Sequence, residues 1–236
     1  MKARLWLHAL TAVAALGTTA ALAAAPAKKA AVPAARDWTK TVVATPEGGF
    51  QMGNPNAAVK LVEYGSLTCP ACARFSNSAK GALAAHVRTG KVSFEFRNYV
   101  LNSMDLTAAL LARCAGPSGF FRLTENLYAA QPQWVGKISG MTQAQKDQLQ
   151  KLPRDQQIAR VAQIGGLTQM AAQAGVTPQK AQACLADPAG LDRLVQMREA
   201  GDAAGVSGTP TFLVNGTAVH AHDWAELLPA IRKAGG

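Results

Sequence analysis

Cys69 and Cys72 enclose Pro70-Ala71, a Cys-x-x-Cys spacing with a direct chemical use. Such a dithiol exchanges disulfides: a thiolate attacks a disulfide sulfur, and the neighbouring thiol resolves the mixed disulfide that results. One of the two sulfurs must then be a thiolate near neutral pH. A helix start favours this, because its first N–H groups have no intrahelical partner and its dipole is positive there. The residues on either side set up that arrangement. Val59, Leu61, Val62 and Tyr64 form an apolar run of strand formers, Gly65-Ser66 breaks it, and Pro70 suits a first helical position. The same pair could be half of a zinc site, which needs four ligands and normally a second close pair. Cys114 and Cys184 are isolated from the pair and from each other, and the strand-then-helix setting favours redox chemistry over metal.

Phe75, Ala79, Leu83 and Val87 recur at steps of four and predict a helix from Ala73 to about His86, ended by Thr89-Gly90. Lys91 to Leu101 alternates Val92, Phe94 and Phe96 against Ser93, Glu95 and Arg97, which predicts a strand. A strand, helix, strand succession of this length implies parallel pairing. Before it, Thr41–Val43 and Phe50–Met52 flank a Pro-Glu-Gly-Gly turn. From about Asn102 to Val195 strand signals vanish, leaving Ala/Gln/Leu-rich helical stretches broken by Gly and Pro, with Thr177-Pro178 and Asp187-Pro188 as helix starts. Thr211–Val214 and Thr217–His220 about Asn215-Gly216 read as a hairpin, since Asn-Gly supplies the positive φ angles of a tight turn. A helix from Asp223 to about Lys233 follows.

The chain opens with Lys2 and Arg4, a run rich in Ala, Leu and Val, and the small-residue site Ala21-Leu22-Ala23: a cleaved secretory signal peptide over 1–23 rather than a membrane anchor. Its removal takes away two basic and no acidic residues, so the formal charge falls from +10 to +8. The remaining basic residues are scattered, without the aromatic-interleaved cluster of a nucleic-acid surface, and serve mainly solubility. Export sets an oxidising environment in which disulfides persist.

Cys69-Pro70-Ala71-Cys72, the segment Val206 to Gly216 with its Gly-Thr-Pro-Thr-Phe core, and the helical block between them resemble the DsbA family of periplasmic thiol-disulfide oxidoreductases. Within that family the likeness is to members with a second cysteine pair in the helical domain. The resemblance spans roughly Trp38 to Lys233. It implies an α/β, thioredoxin-like fold with a helical domain inserted after the second strand of the core motif. It also implies a cis Thr209-Pro210 bond that sets Pro210 against the dithiol and leaves the Thr209 backbone to pair with an extended substrate. Glu63, six residues before Cys69, matches a buried acid of this fold that exchanges a proton with Cys72; the alternative is an edge, partly solvated glutamate. Cys114 and Cys184 would form a structural disulfide rather than two buried thiols. Two positions depart from the best-known member: Ala71 replaces a histidine, and Thr209 replaces a valine in a manner equally suited to an isomerase.

The expected organisation is signal peptide 1–23, flexible lead-in 24–37, thioredoxin-like domain in two parts at 38–101 and 189–236, and helical insertion 102–188. The expected function is a periplasmic oxidase acting without cofactor or metal. It would pass disulfides to unfolded or reduced exported proteins, be reoxidised by a membrane redox partner, bind no nucleic acid and be monomeric. An isomerase or reductase of the same fold is the nearest alternative, and a non-redox peptide-binding holdase a more distant one. His220 and His222, without a carboxylate or cysteine nearby, make a poor metal pair. Phe120, Phe121, Tyr128 and Trp134 are expected in the core or at a domain seam, and apolar residues around Leu67 in an exposed groove for unfolded chains.

Overall fold

The computed structural model describes residues 36–236. The signal peptide and nearly all of the lead-in lie outside the described residues. A short 3-10 turn, Trp38–Lys40, precedes strands Val42–Ala44 (β1) and Phe50–Gly53 (β2), then Val59–Gly65 (β3), helix Pro70–Arg88 (α1) and Val92–Asn98 (β4). Seven helices follow: Ser103–Cys114 (α2), Gly116–Ala129 (α3), Gln131–Ser139 (α4), Gln143–Gln150 (α5), Arg154–Gly165 (α6), Leu167–Gln173 (α7) and Pro178–Leu185 (α8). Pro188–Ala203 (α9) returns the chain to Thr211–Val214 (β5), Thr217–Val219 (β6) and the last helix, Trp224–Lys233 (α10). The fold is thioredoxin-like, with helices interposed between β4 and α9.

The six strands make one sheet in the order β1-β2-β4-β3-β5-β6. β3 and β4 run parallel, with Glu63 opposite Phe96, and β5 pairs antiparallel on the other edge of β3, with Glu63 opposite Phe212. β3 is therefore interior to the sheet, and everything it delivers at its C-terminal end is held by neighbours on both sides. The β5–β6 turn uses Asn215 at φ 49° and Gly216 at φ 82°, the left-handed pair that a two-residue hairpin requires. Asn215 also ties the turn to β3: its side-chain oxygen accepts from Lys60 N at 2.7 Å.

α1 buries Cys72, Ala73, Phe75, Ala79, Leu83 and Val87 against the sheet, the face that the spacing of four predicts. Phe75 meets Phe212 at 4.5 Å between ring centroids. The helical block closes onto the sheet through Phe120, which stacks on Phe50 at 4.2 Å and reaches Phe96 at 5.9 Å. Cys114 and Cys184 are disulfide-bonded with Cα atoms 5.9 Å apart, joining α2 to α8 across 70 residues. In the loop-entropy view such a link restricts the unfolded chain by about 4 kcal/mol.

The structure departs from three sequence expectations. β4 does not alternate buried and exposed: Ser93 and Glu95 are buried, because α1 and α9 both pack on this strand. Glu95 tolerates burial because its carboxylate accepts from Arg97 at 2.8 and 2.9 Å and from the Thr45 hydroxyl at 2.6 Å. α4 is a full helix where none is predicted; Pro132 sits in its first turn, where the missing N–H costs nothing. Leu67, expected near an exposed groove, is fully buried in the main core. No helix among the described residues is long and apolar enough to cross a membrane.

Candidate functional site

The end of β3 and the start of α1 place Cys69 at the helix N-cap, in extended backbone at φ −79° and ψ 120°, with Pro70 just inside. Cys69 is 9% exposed and Cys72 is fully buried, and both are free thiols here. The Thr209-Pro210 peptide bond is cis. It brings the loop before β5 over the helix start, so that the Cys69 thiol donates to the Thr209 carbonyl oxygen at 3.2 Å. The Thr209 hydroxyl is buried with no hydrogen-bond partner among the described residues, and it is the Thr209 group able to donate to Cys69 once that sulfur is a thiolate. Hydrogen bonding from the Cys72 thiol, then from Thr209 and the Cys72 and Ala71 backbone N–H groups, pulls Cys69 down to about 5 from an ordinary 9.0, against its own burial. Burial pushes the Cys72 thiol far up, so the two sulfurs differ sharply in acidity. Ala71 contributes through its backbone alone.

Glu63 is 2% exposed on the interior strand β3. Burial, with a smaller push from the Cys69 charge, raises its carboxyl to about 8 from 4.5. Its Oε1 has no hydrogen-bond partner among the described residues. The Glu63 carboxyl also acts on the Cys72 thiol through its charge. Cys69, Cys72, Thr209, Pro210 and Glu63 thus converge at the same end of the sheet. The bonded Cys114–Cys184 pair stands apart from them, and being joined to each other these cysteines supply no ligands to the Cys69–Cys72 pair.

Three residues hold the approach to Cys69: Tyr128, expected in the core or at a seam but not at the site, and Gln131 and Asp105, which the sequence does not single out. Tyr128 on α3 donates to Ser66 O at 3.1 Å, and Gln131 at the start of α4 donates to Leu67 O at 2.7 Å and Cys69 O at 3.0 Å. Asp105 on α2 accepts from Leu67 N at 2.8 Å and Leu101 N at 2.9 Å. All three side chains are buried. Desolvation raises Asp105 to about 6, with its hydrogen bonds opposing. The helical block therefore fixes the backbone of Ser66–Cys69 from one side while the cis-proline loop contacts the Cys69 sulfur. Asn102, the N-cap of α2, accepts from Asp105 N through its side chain and so steadies the helix start that carries this carboxylate.

A family model described as Thioredoxin matches residues 45–233. Among solved structures, a protein-disulfide isomerase from Novosphingobium aromaticivorans is 33% identical, covering 79% of this chain and 97% of its own at a TM-score of 0.72. Wolbachia pipientis alpha-DsbA1 shares the fold at 19% identity and a TM-score of 0.63, with 78% and 89% of the two chains covered. A putative protein-disulfide oxidoreductase of Rickettsia bellii is 27% identical over 191 residues, 80% of this chain. The chain spans 65% of the length of that curated relative.

Proposed function

The chain belongs to the thioredoxin family and has the helix-inserted plan of its DsbA-like proteins, and from that premise we propose that it is a protein thiol-disulfide oxidoreductase that donates disulfides to exported proteins. The observation that carries this reading is the asymmetry of the dithiol: Cys69 down at about 5, Cys72 buried and far less acidic. A stabilised thiolate favours the reduced form over the disulfide, which makes the disulfide the better oxidant. The Thr209 hydroxyl, in place of the valine of the family's best-known member, offers the thiolate a donor that compensates in part for the imidazole missing at Ala71.

The reaction starts from the Cys69–Cys72 disulfide. A substrate thiolate attacks Cys69 Sγ, forming a mixed disulfide and releasing Cys72 as a thiolate. Glu63, protonated below about pH 8, is the acid that returns a proton to it. A second substrate thiolate then attacks the substrate's own sulfur; the substrate leaves oxidised and Cys69 leaves as its stabilised thiolate. Two electrons and the substrate's protons pass to the dithiol, and a membrane redox partner takes them on when it restores the disulfide. Pro210 has no N–H to compete for the sulfur, and the Thr209 backbone holds the extended substrate as an added strand.

The signal peptide over 1–23 directs this chemistry to the periplasm, with a monomer as the working unit. Isomerisation is the second reading: the relative from Novosphingobium carries that name and Thr209 suits it. Cys69→Ser tests the enzyme assignment: the variant should be inactive in reducing insulin and in oxidising a dithiol peptide. Undiminished turnover would sink the assignment of the chemistry to this dithiol. Faster rescue of a scrambled substrate than oxidation of a reduced one would favour the isomerase.

A further inference from the structure

Outside the dithiol site, a cavity of about 440 Å³ opens between the β1–β2 turn, α2 and the start of α9. Arg113 and Arg193 both line it, together with Phe50, Leu110 and Asp187. Arg113 stands on the turn of α2 that ends in Cys114, so the disulfide to α8 fixes the spacing between α2 and the α9 that follows. Its guanidinium lies 5.2 Å from the centroid of the Phe50 ring. Its Nη1 is buried without a hydrogen-bond partner. The Arg193 stem packs over the β1–β2 turn, where a Cβ on Gly48, at φ +92°, would lie 3.1 Å from Arg193 Cδ.

Neither arginine belongs to an ion pair among the described residues. Residues 1–35 hold no Asp or Glu that could reach them. Asp187 is the acid on the cavity wall, and both its oxygens are engaged at the start of α9, accepting from Ala189 N and Gly190 N at 3.0 Å each. Glu95 on β4, whose carboxylate reaches the β1–β2 turn at Gly49, is held by Arg97 and Thr45. Two cations facing one cavity, one of them partly desolvated with an orphaned N–H, is an unfavourable arrangement unless an anion joins them. Burial and the facing Arg193 already pull Arg113 down to about 10.

We propose that this cavity is an oxyanion site: Arg113 and Arg193 grip a carboxylate or phosphate head, and Phe50 and Leu110 hold the apolar body that carries it. Planar guanidinium groups suit such heads because each offers parallel N–H donors. A bound anion would bridge the helical block to the β1–β2 hairpin. The site uses none of the dithiol residues, so its failure would leave the redox reading untouched.

The test titrates the full chain with inorganic phosphate and with benzoate, against chloride at matched ionic strength, following backbone amide resonances of Gly48 and Gly190 and the melting temperature. Saturable shifts with either probe, weakened about tenfold or more in Arg113→Gln and in Arg193→Gln, are expected from losing a charge-assisted hydrogen bond. Tighter binding of benzoate would identify an organic carboxylate as the natural class, and tighter binding of phosphate a phosphorylated one. Without anion, Arg113→Gln should melt no lower than the parent, because it removes an unpaired buried charge; Arg193→Gln is the second variant should Arg113→Gln fold poorly. Absence of a saturable response to either probe, or equal responses in parent and variants, would overturn the proposal.

Discussion

At the scale of single residues, the chemistry rests on how differently one helix start treats two sulfurs three positions apart. Cys69 takes up hydrogen bonds as a thiolate while Cys72 is shut from water. Because the folded value of Cys69 is depressed, its contribution to the stability of the reduced protein is present above the ordinary thiol range and is lost as pH falls through about 5. The ultraviolet absorbance of the thiolate should therefore titrate near 5 in the reduced protein, and Thr209→Val should move that midpoint upward; a midpoint in the ordinary thiol range would refute the assignment of Cys69. Glu63 runs the other way. Its folded value is raised to about 8, so the energetic cost of keeping it buried appears as pH rises from the ordinary carboxylate range through 8. Glu63→Gln should accordingly melt higher than the parent in alkaline buffer. It should also slow exchange through Cys72 by about a hundredfold, the lower range of general acid–base effects, and flatten the rate's pH dependence near 8. Unchanged rates across that pH range would remove Glu63 from the mechanism.

At the scale of elements, the site is a meeting of β3 and α1 with two outside supports, the cis-proline loop and the helical block. The first was legible only through the family resemblance that its Gly-Thr-Pro-Thr-Phe segment carries, whereas the strand run, the break and the proline at the helix start were legible because they are local. The second was not. Gln131 reaches Cys69 O across 62 residues and Leu67 O across 64, and nothing in the composition of Gln131-Pro132 distinguishes a first helical turn from a chain break. The misplacement of Leu67 has the same origin, since a leucine beside a dithiol looks available for binding until α2, α3 and α4 are folded over its loop. Likewise the alternation in β4 reads as one wet face because the sequence does not show that α9 covers it. Gln131→Leu tests what the helical block does for the dithiol. Removing the donor leaves two buried carbonyl oxygens less well satisfied, at a cost of about 1–3 kcal/mol in stability. If Gln131 positions the helix start, the Cys69 midpoint should rise as well; a loss of stability with the midpoint unmoved would make its role structural alone.

At the scale of the whole molecule, a basic chain with an apolar leader carries an acidic thiol at a helix start, stiffened by a second disulfide in the helices beside it. Those features support the proposal of an exported exchange catalyst, and the direction of exchange is the claim that binds them. Ala71 removes the imidazole expected of a strong oxidase, while Thr209 and the backbone N–H groups restore hydrogen bonding to the thiolate. The most direct measurement is the reduction potential of the Cys69–Cys72 couple, obtained by equilibrating the protein in glutathione redox buffers, with a Cys114→Ser/Cys184→Ser variant to exclude the second pair. A disulfide donor requires a potential well above the glutathione poise, toward the oxidising end of the thioredoxin-like range. A value near that of thioredoxin, about −270 mV, would contradict it and make the protein a reductase or isomerase dependent on an outside supply of electrons.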